Sequence, residues 1–272
     1  MPMTVGILGP GAIGGLLAQY LGVRGHRIVL IRRGGRLTLP VDVLFIAVKS
    51  PHLSGALLQI PPEFVAQAVI IPLLNGAGHV EIIRAALHSP VAAGTIGSVE
   101  AIQENGVARQ LSKQPPHVDL ASSDVPKEKL EAIASMLRDA GISASVLESE
   151  PEVIWRKLVR LNSIATATAA AQQSVGFVRS DPQWRPVLEA LVAEGAAVAA
   201  AEGVALDVEK VLADIDRLPD GLMTSLQRDV AAGKPSELDA IPGAVLALAK
   251  RHGIACPKLS AQYAALIERA NS

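Results

Sequence analysis

The sequence predicts an α/β fold over its first half, a doubly wound and largely parallel sheet, followed by an all-α region. Three observations carry this. Short apolar runs alternate with helix-like stretches from Thr4 onward; a glycine turn joins the first run directly to a helix; and after residue 150 the chain becomes Ala-rich and helix-periodic with hardly a strand signal.

The elements follow in order. Thr4 to Leu8 reads as a strand, Ala12 to about Val23 as a helix and Arg27 to Ile31 as a second strand, a βαβ opening. Further strands are expected at Val43 to Val48, Val69 to Leu74 and Val91 to Thr95. Only a short segment separates Arg32 from Val43, where a parallel crossover usually takes a dozen residues or more and a helix. About nine extended residues reach roughly 30 Å, enough to return along a strand of about 18 Å, so the expectation is a sheet shortened after its second strand. Ser149 and Glu152 form a capping-box pair with Pro151 in the first turn, and a domain boundary is placed there: 1–149 for the α/β domain and 150–272 for the helical one. Ser236 and Asp239 read as a second capping box, which would put Glu237 in a first helical turn.

Composition narrows the function. Lys plus Arg (25) nearly balances Asp plus Glu (26), so no basic excess exists to meet a nucleic-acid backbone or an anionic membrane, and a small-molecule partner is favoured. A homodimer is left open. The lone cysteine, Cys256, cannot close a disulfide within the chain, and no Cys/His cluster has metal-ligand spacing, which suits the cytoplasm and a protein without metal. Val5 to Val23 is uncharged and nearly membrane-spanning in length, but its six glycines and one proline split it into strand, turn and helix.

Gly9-Pro10-Gly11-Ala12-Ile13-Gly14 lies between that strand and that helix, where its glycines allow a tight turn, close approach of a pyrophosphate to backbone, and close helix-strand packing. This is the fingerprint of a Rossmann-type dinucleotide-binding domain. At the end of the second strand, where an NAD site usually has a carboxylate for the ribose, stand Arg32 and Arg33. Guanidinium groups suit a 2′-phosphate, so the cofactor expected is NADPH; the plain alternative is a solvated basic turn.

Together with Ala47-Val48-Lys49-Ser50, Leu74-Asn75-Gly76-Ala77-Gly78, Trp155-Arg156-Lys157-Leu158 and the segment Ser225 to Asp239, in this order, the chain resembles the ketopantoate reductases over nearly its whole length. The resemblance implies reduction of 2-dehydropantoate to pantoate with NADPH, a step of pantothenate biosynthesis, with a 2-oxo acid substrate held between two domains. It further implies that Lys157 is the catalytic acid, that Asn75 contacts cofactor or substrate, that Ser225 binds the substrate carboxylate, and that Glu237 holds Lys157 or the substrate hydroxyl. Lys49, at a strand end that faces ligands in such sheets, is a substrate-binding candidate; a solvated loop lysine is its plain alternative. A lysine suits the chemistry because carbonyl reduction needs a proton at the oxygen as negative charge develops there, and an unperturbed ammonium, of pKa about 10.4, carries one at neutral pH.

The chain departs from the family at two places. Many members carry Asn four and eight residues after the lysine, where this chain has Leu161 and Ala165. Asn162 is one residue late, turned about 140° from Lys157 on a helix, whereas Leu161 is turned by only about 40°. A more apolar pocket, and so a different 2-oxo acid, is the second reading; a non-catalytic NADP-binding sensor is the third.

Overall fold

The computed structural model describes residues 2–97 and 99–270. By backbone proximity the chain divides into two compact units: the residues up to Leu74 with Gly78–Ile154, and Asn75–Ala77 with the chain from Trp155 onward.

In the first unit, β1 (Thr4–Leu8), α1 (Ala12–Gly22), β2 (Arg27–Ile31), β3 (Val43–Ile46), α2 (Leu53–Leu57), β4 (Val69–Pro72) and α3 (His79–Leu87) build a four-stranded parallel sheet in the order β2-β1-β3-β4. The strand residues alternate between two cores, as a period of two requires. Val5, Ile7, Val43, Phe45, Val69 and Ile71 face one side, with Leu17 and Leu21 of α1. Leu8, Leu44, Ile46 and Ile70 face the other, with Leu53 and Leu57 of α2 and Ile83 of α3. Both faces are covered, which is why β3 and β4 read as unbroken apolar runs.

The expected shortening is present. β2 pairs only with β1, and β3 follows on the far side of β1 with no helix or strand between Ile31 and Val43. Residues 32–35 instead form a turn in which the Gly35 N–H donates to the Arg32 carbonyl (2.9 Å) and Gly34 has φ +77°. Leu37 then tucks into the α2 core.

The rest of this unit departs from the sequence expectation. Val91 forms only an isolated bridge with Ile70, and the next strand, β5, is Ala93–Gly97. Four strands went unread: β6 (Ala101–Glu104), β7 (Val107–Gln110), β8 (His117–Ala121) and β9 (Ser143–Val146), the last preceded by α4 (Lys127–Asp139). β5 runs antiparallel to β8, and β8 parallel to β9. β6 and β7 form a hairpin whose turn residues Asn105 and Gly106 both have positive φ, the conformation of a type I′ turn. The strands β6 to β9 are short and partly exposed, so they lack the apolar runs that reveal β3 and β4.

The second unit is helical. The boundary lies within α5 (Glu150–Ala171), whose start is capped as expected: Ser149 Oγ accepts from the Glu152 N–H at 3.3 Å. After α6 (Val175–Ser180) comes α7 (Trp184–Ala201), which buries Leu188, Leu191, Val192 and Val198. Next are α8 (Val208–Asp216), α9 (Ser225–Ala231), a π-helical turn at Asp239–Gly243, α10 (Ala244–His252) and α11 (Pro257–Ala270). Glu194 of α7 caps α11, accepting from the Lys258 and Leu259 N–H groups at 2.8 Å each. Among the described residues no helix is long and apolar enough to cross a membrane.

Candidate active site

The glycine turn of the first unit is built as its sequence requires. Gly9 has φ +85°, and a Cβ there would lie 2.5 Å from Val48 Cγ1; one on Gly14 would lie 2.4 Å from the Gly9 carbonyl oxygen. These two glycines let the turn close on β3 and on itself. Gly11 differs: a Cβ there meets nothing within 4 Å. Gly11 is also the N-cap of α1, without a side-chain cap and without an acid in the first turn. The N–H groups around Ala12 and Ile13 therefore open a helix whose positive end suits an anion. Gln103 of the β6–β7 hairpin donates to the Pro10 carbonyl (3.0 Å) and fixes the loop from behind.

Arg32 and Arg33 are exposed on the turn that replaces the crossover helix. Arg33 Nη2 lies 3.3 Å from His52 Nε2, so the turns that follow β2 and β3 meet. Lys49 is exposed just after β3, and its carbonyl accepts from the His52 N–H (2.9 Å). No carboxylate stands between Ile31 and Asp42. The glycine loop thus fits the phosphates of a dinucleotide, and the turn after β2 beside it carries two exposed arginines.

In the second unit three of the residues singled out in the sequence come together. Lys157 Nζ donates to Asn75 Oδ1 at 2.9 Å, and Asn75 Nδ2 donates to Glu237 Oε2 at 3.0 Å. Trp155 and Leu158, on the buried face of α5, fix the helix rotation that directs Lys157 to this cluster. Burial pushes the Lys157 ammonium down to about 8; the Glu237 carboxylate pulls the other way, and the Arg160 charge one turn along the helix adds to the lowering. An ordinary lysine was expected, and the difference arises because Lys157 is drawn into the fold. Arg160 was legible as an i,i+3 neighbour and went unread.

The two residues after Asn75 lie against the backbone of the π-helical turn. Gly76 has φ +91°, and a Cβ there would sit 1.8 Å from the Ala240 carbonyl oxygen, while the Ala77 N–H donates to that same oxygen (3.3 Å). Only glycine lets the loop lie against the π-helical turn. Glu237 is buried and precedes that turn, but the capping box expected from Ser236 and Asp239 does not form. The Asp239 carboxylate accepts from Tyr263 Oη instead (2.7 Å), and the segment opens as a π-turn. Pro242 supplies the reason. It has no N–H to give to the Leu238 carbonyl, which is taken by the Gly243 N–H at 2.9 Å, one residue later.

Ser225 is not part of these bonds: it is exposed at the first position of α9, whose cap is Thr224, with Thr224 Oγ1 accepting from the Gln227 N–H (3.2 Å). Leu161 packs beside Ala165, Leu226 and Leu238, whereas Asn162 is fully buried, with Thr166 Oγ1 3.5 Å from its Oδ1. Asn162, as its helix direction requires, is buried away from the Lys157–Asn75–Glu237 bonds. Among the described residues no group of three or more His, Cys, Asp or Glu side chains could hold a metal ion.

Comparison with known proteins completes the picture. The family model described as ketopantoate reductase PanE/ApbA matches residues 36–119, and that described as ketopantoate reductase PanE/ApbA C terminal matches residues 151–270. The 2-dehydropantoate 2-reductase of Vibrio cholerae is 28% identical across 96% of this chain and 96% of that protein. Its counterpart in Mycobacterium tuberculosis is 28% identical across 94% of each. A ketopantoate reductase structure from Ralstonia eutropha shares the fold with a TM-score of 0.85 at 23% identity over 99% of both chains. A D-mandelate dehydrogenase structure with NADH and anilino(oxo)acetate shares it with a TM-score of 0.88 at 19% identity, again over 99% of both. The chain is an oxidoreductase on a Rossmann-like α/β fold with a helical C-terminal region, and it belongs to the ketopantoate reductase family.

Proposed function

We propose that this chain reduces 2-dehydropantoate to pantoate with NADPH, with Lys157 as the proton donor. The observation that carries the reading is the hydrogen-bonded series Lys157-Asn75-Glu237, an ammonium aimed and tuned within one unit. When bound, the nicotinamide supplies a hydride to the carbonyl carbon. The protein's own residues do the rest. Lys157 Nζ gives its proton to the carbonyl oxygen, where negative charge develops, and a donor with a pKa near the working pH both gives and recovers a proton readily. Asn75 orients the ammonium, and Glu237 holds the Asn75 amide in the one orientation that leaves Oδ1 facing Lys157. Ser225 is assigned to the substrate carboxylate, Lys49 to substrate binding, and Gly9 through Gly14 with Arg32 and Arg33 to the dinucleotide.

The relatives named 2-dehydropantoate 2-reductase support the substrate, and the paired arginines support NADPH over NADH. A second reading, reduction of a different and more apolar 2-oxo acid, is favoured by one feature: Leu161 lies a turn from Lys157 within an apolar cluster. The test is NADPH oxidation by the purified protein against 2-dehydropantoate and a panel of 2-oxo acids that differ at C3 and C4. Turnover best with 2-dehydropantoate is the expected result. Turnover only with other oxo acids selects the second reading, and NADPH binding without turnover on any of them overturns both.

A further inference from the structure

Lys157, Asn75 and Glu237 reach one another only if the loop at Gly76 and the turn after Glu237 keep their places. At Gly76 and Ala77 the loop lies against the Ala240 carbonyl oxygen, which accepts from the Ala77 N–H and occupies the space a side chain on Gly76 would need. That carbonyl belongs to the π-helical turn Asp239–Gly243, a conformation that is rare and forced here by Pro242. A side chain from another helix also bonds to this turn.

We propose that Tyr263 and Asp239 are positioning residues of the reductase: their hydrogen bond pins the π-turn, so that Ala240 holds the Gly76-Ala77 backbone and Asn75 stays between Lys157 and Glu237. The proposal rests on the reading of Lys157 as proton donor. Tyr263 Oη donates to Asp239 Oδ1 at 2.7 Å, from the helix α11. That helix is a firm anchor. Glu194 caps its first turn, and Arg269 near its other end donates to the Ala169 and Ala170 carbonyls at 2.9 and 3.2 Å. Gly243 fits the same arrangement, since a Cβ there would lie 3.2 Å from the Tyr263 hydroxyl. Burial, and after it the bond to Asp239, push the Tyr263 phenol up to about 12, so the hydroxyl remains a donor throughout any ordinary assay range. Neither residue touches Lys157 in the bonds described, and each acts through backbone.

Two measurements test this. The first is amide hydrogen exchange at Ala77 in the protein without cofactor, for the parent, Tyr263→Phe, Asp239→Ala and Asp239→Asn. Tyr263→Phe and Asp239→Ala are expected to speed exchange, while Asp239→Asn, whose amide oxygen still accepts from Tyr263 Oη, restores most of the protection. Equal protection in all four overturns the proposal whether or not the protein is a reductase. The second is a double-mutant cycle on turnover. Tyr263→Phe should lower kcat/KM by about three- to tenfold, the size of one lost hydrogen bond, with NADPH affinity unchanged, and should have no further effect in an Asn75→Ala background. The same factor in both backgrounds would show that Tyr263 acts elsewhere and would overturn the proposal. No turnover by the parent on any 2-oxo acid sinks the reading of Lys157 instead, and the exchange measurement still decides the clamp.

Discussion

Two glycines of this chain, Gly11 and Gly76, do opposite things. A methyl group on Gly11 would enter open space at the start of α1; one on Gly76 would collide with the Ala240 carbonyl oxygen at 1.8 Å, from a backbone already at φ +91°. The space beside the first glycine holds no protein atom within 4 Å. The second is needed because protein fills the space. A glycine in a binding motif can thus serve a ligand or serve the chain, and the two roles are separable by substitution.

The largest effect should come from breaking the filled turn. Gly76→Ala sets backbone strain of about 1–3 kcal/mol on top of the collision, so it should displace Asn75 and bring turnover down to that of Lys157→Ala, with a fall in Tm. Gly11→Ala, by contrast, should fold with a Tm near the parent's and lose NADPH affinity. Comparable Tm values for the two variants would erase the distinction. Lys157→Ala should follow, cutting kcat by about 10²- to 10⁴-fold, the usual worth of a positioned acid, while fluorescence titration finds NADPH binding nearly intact. A variant that turns over at close to the parent rate would remove Lys157 from its role.

Arg32→Ala with Arg33→Ala comes next. Charge-assisted bonds to a 2′-phosphate contribute about 1.5–3 kcal/mol, so the preference for NADPH over NADH should shrink by about ten- to a hundredfold, and an unchanged ratio would reassign the 2′-phosphate. Leu161→Asn is the smallest. If 2-dehydropantoate is the substrate, an added amide beside Lys157 should improve kcat/KM by at most about tenfold; if a more apolar oxo acid is, activity on that acid should fall. Equal values across the panel would place Leu161 away from the substrate.

The sequence was most legible where one local rule sufficed. The unbroken apolar runs of β3 and β4 announce strands buried on both faces, the spacing Gly9, Gly11, Gly14 announces the turn, and the short stretch after Arg32 announces the missing crossover helix. β6 to β9 were missed because short, half-exposed strands are set by their partners more than by their own residues. The Ser236/Asp239 pair misled for a related reason: its pattern fits a capping box, but Asp239 has a stronger competitor in Tyr263, 24 residues away. Pro242, which denies the Leu238 carbonyl its usual partner and opens the π-turn, went unread. The pKa of Lys157 was out of reach, since it depends on burial and on Glu237, 80 residues further along.

The central claim is that Lys157, tuned by burial, is the proton donor, and the most direct test is kcat/KM against pH. Its pKa lies below that of an ordinary lysine, so the protonated, donating form predominates below about 8 and is lost as the pH rises through that value. The same displacement should make the fold more stable as pH climbs from about 8 toward 10.5, because the unfolded chain then holds that proton more tightly than the native one. The account predicts that kcat/KM for reduction falls about tenfold per pH unit above about 8. A rate that stays level to the pH where an ordinary lysine titrates would contradict it.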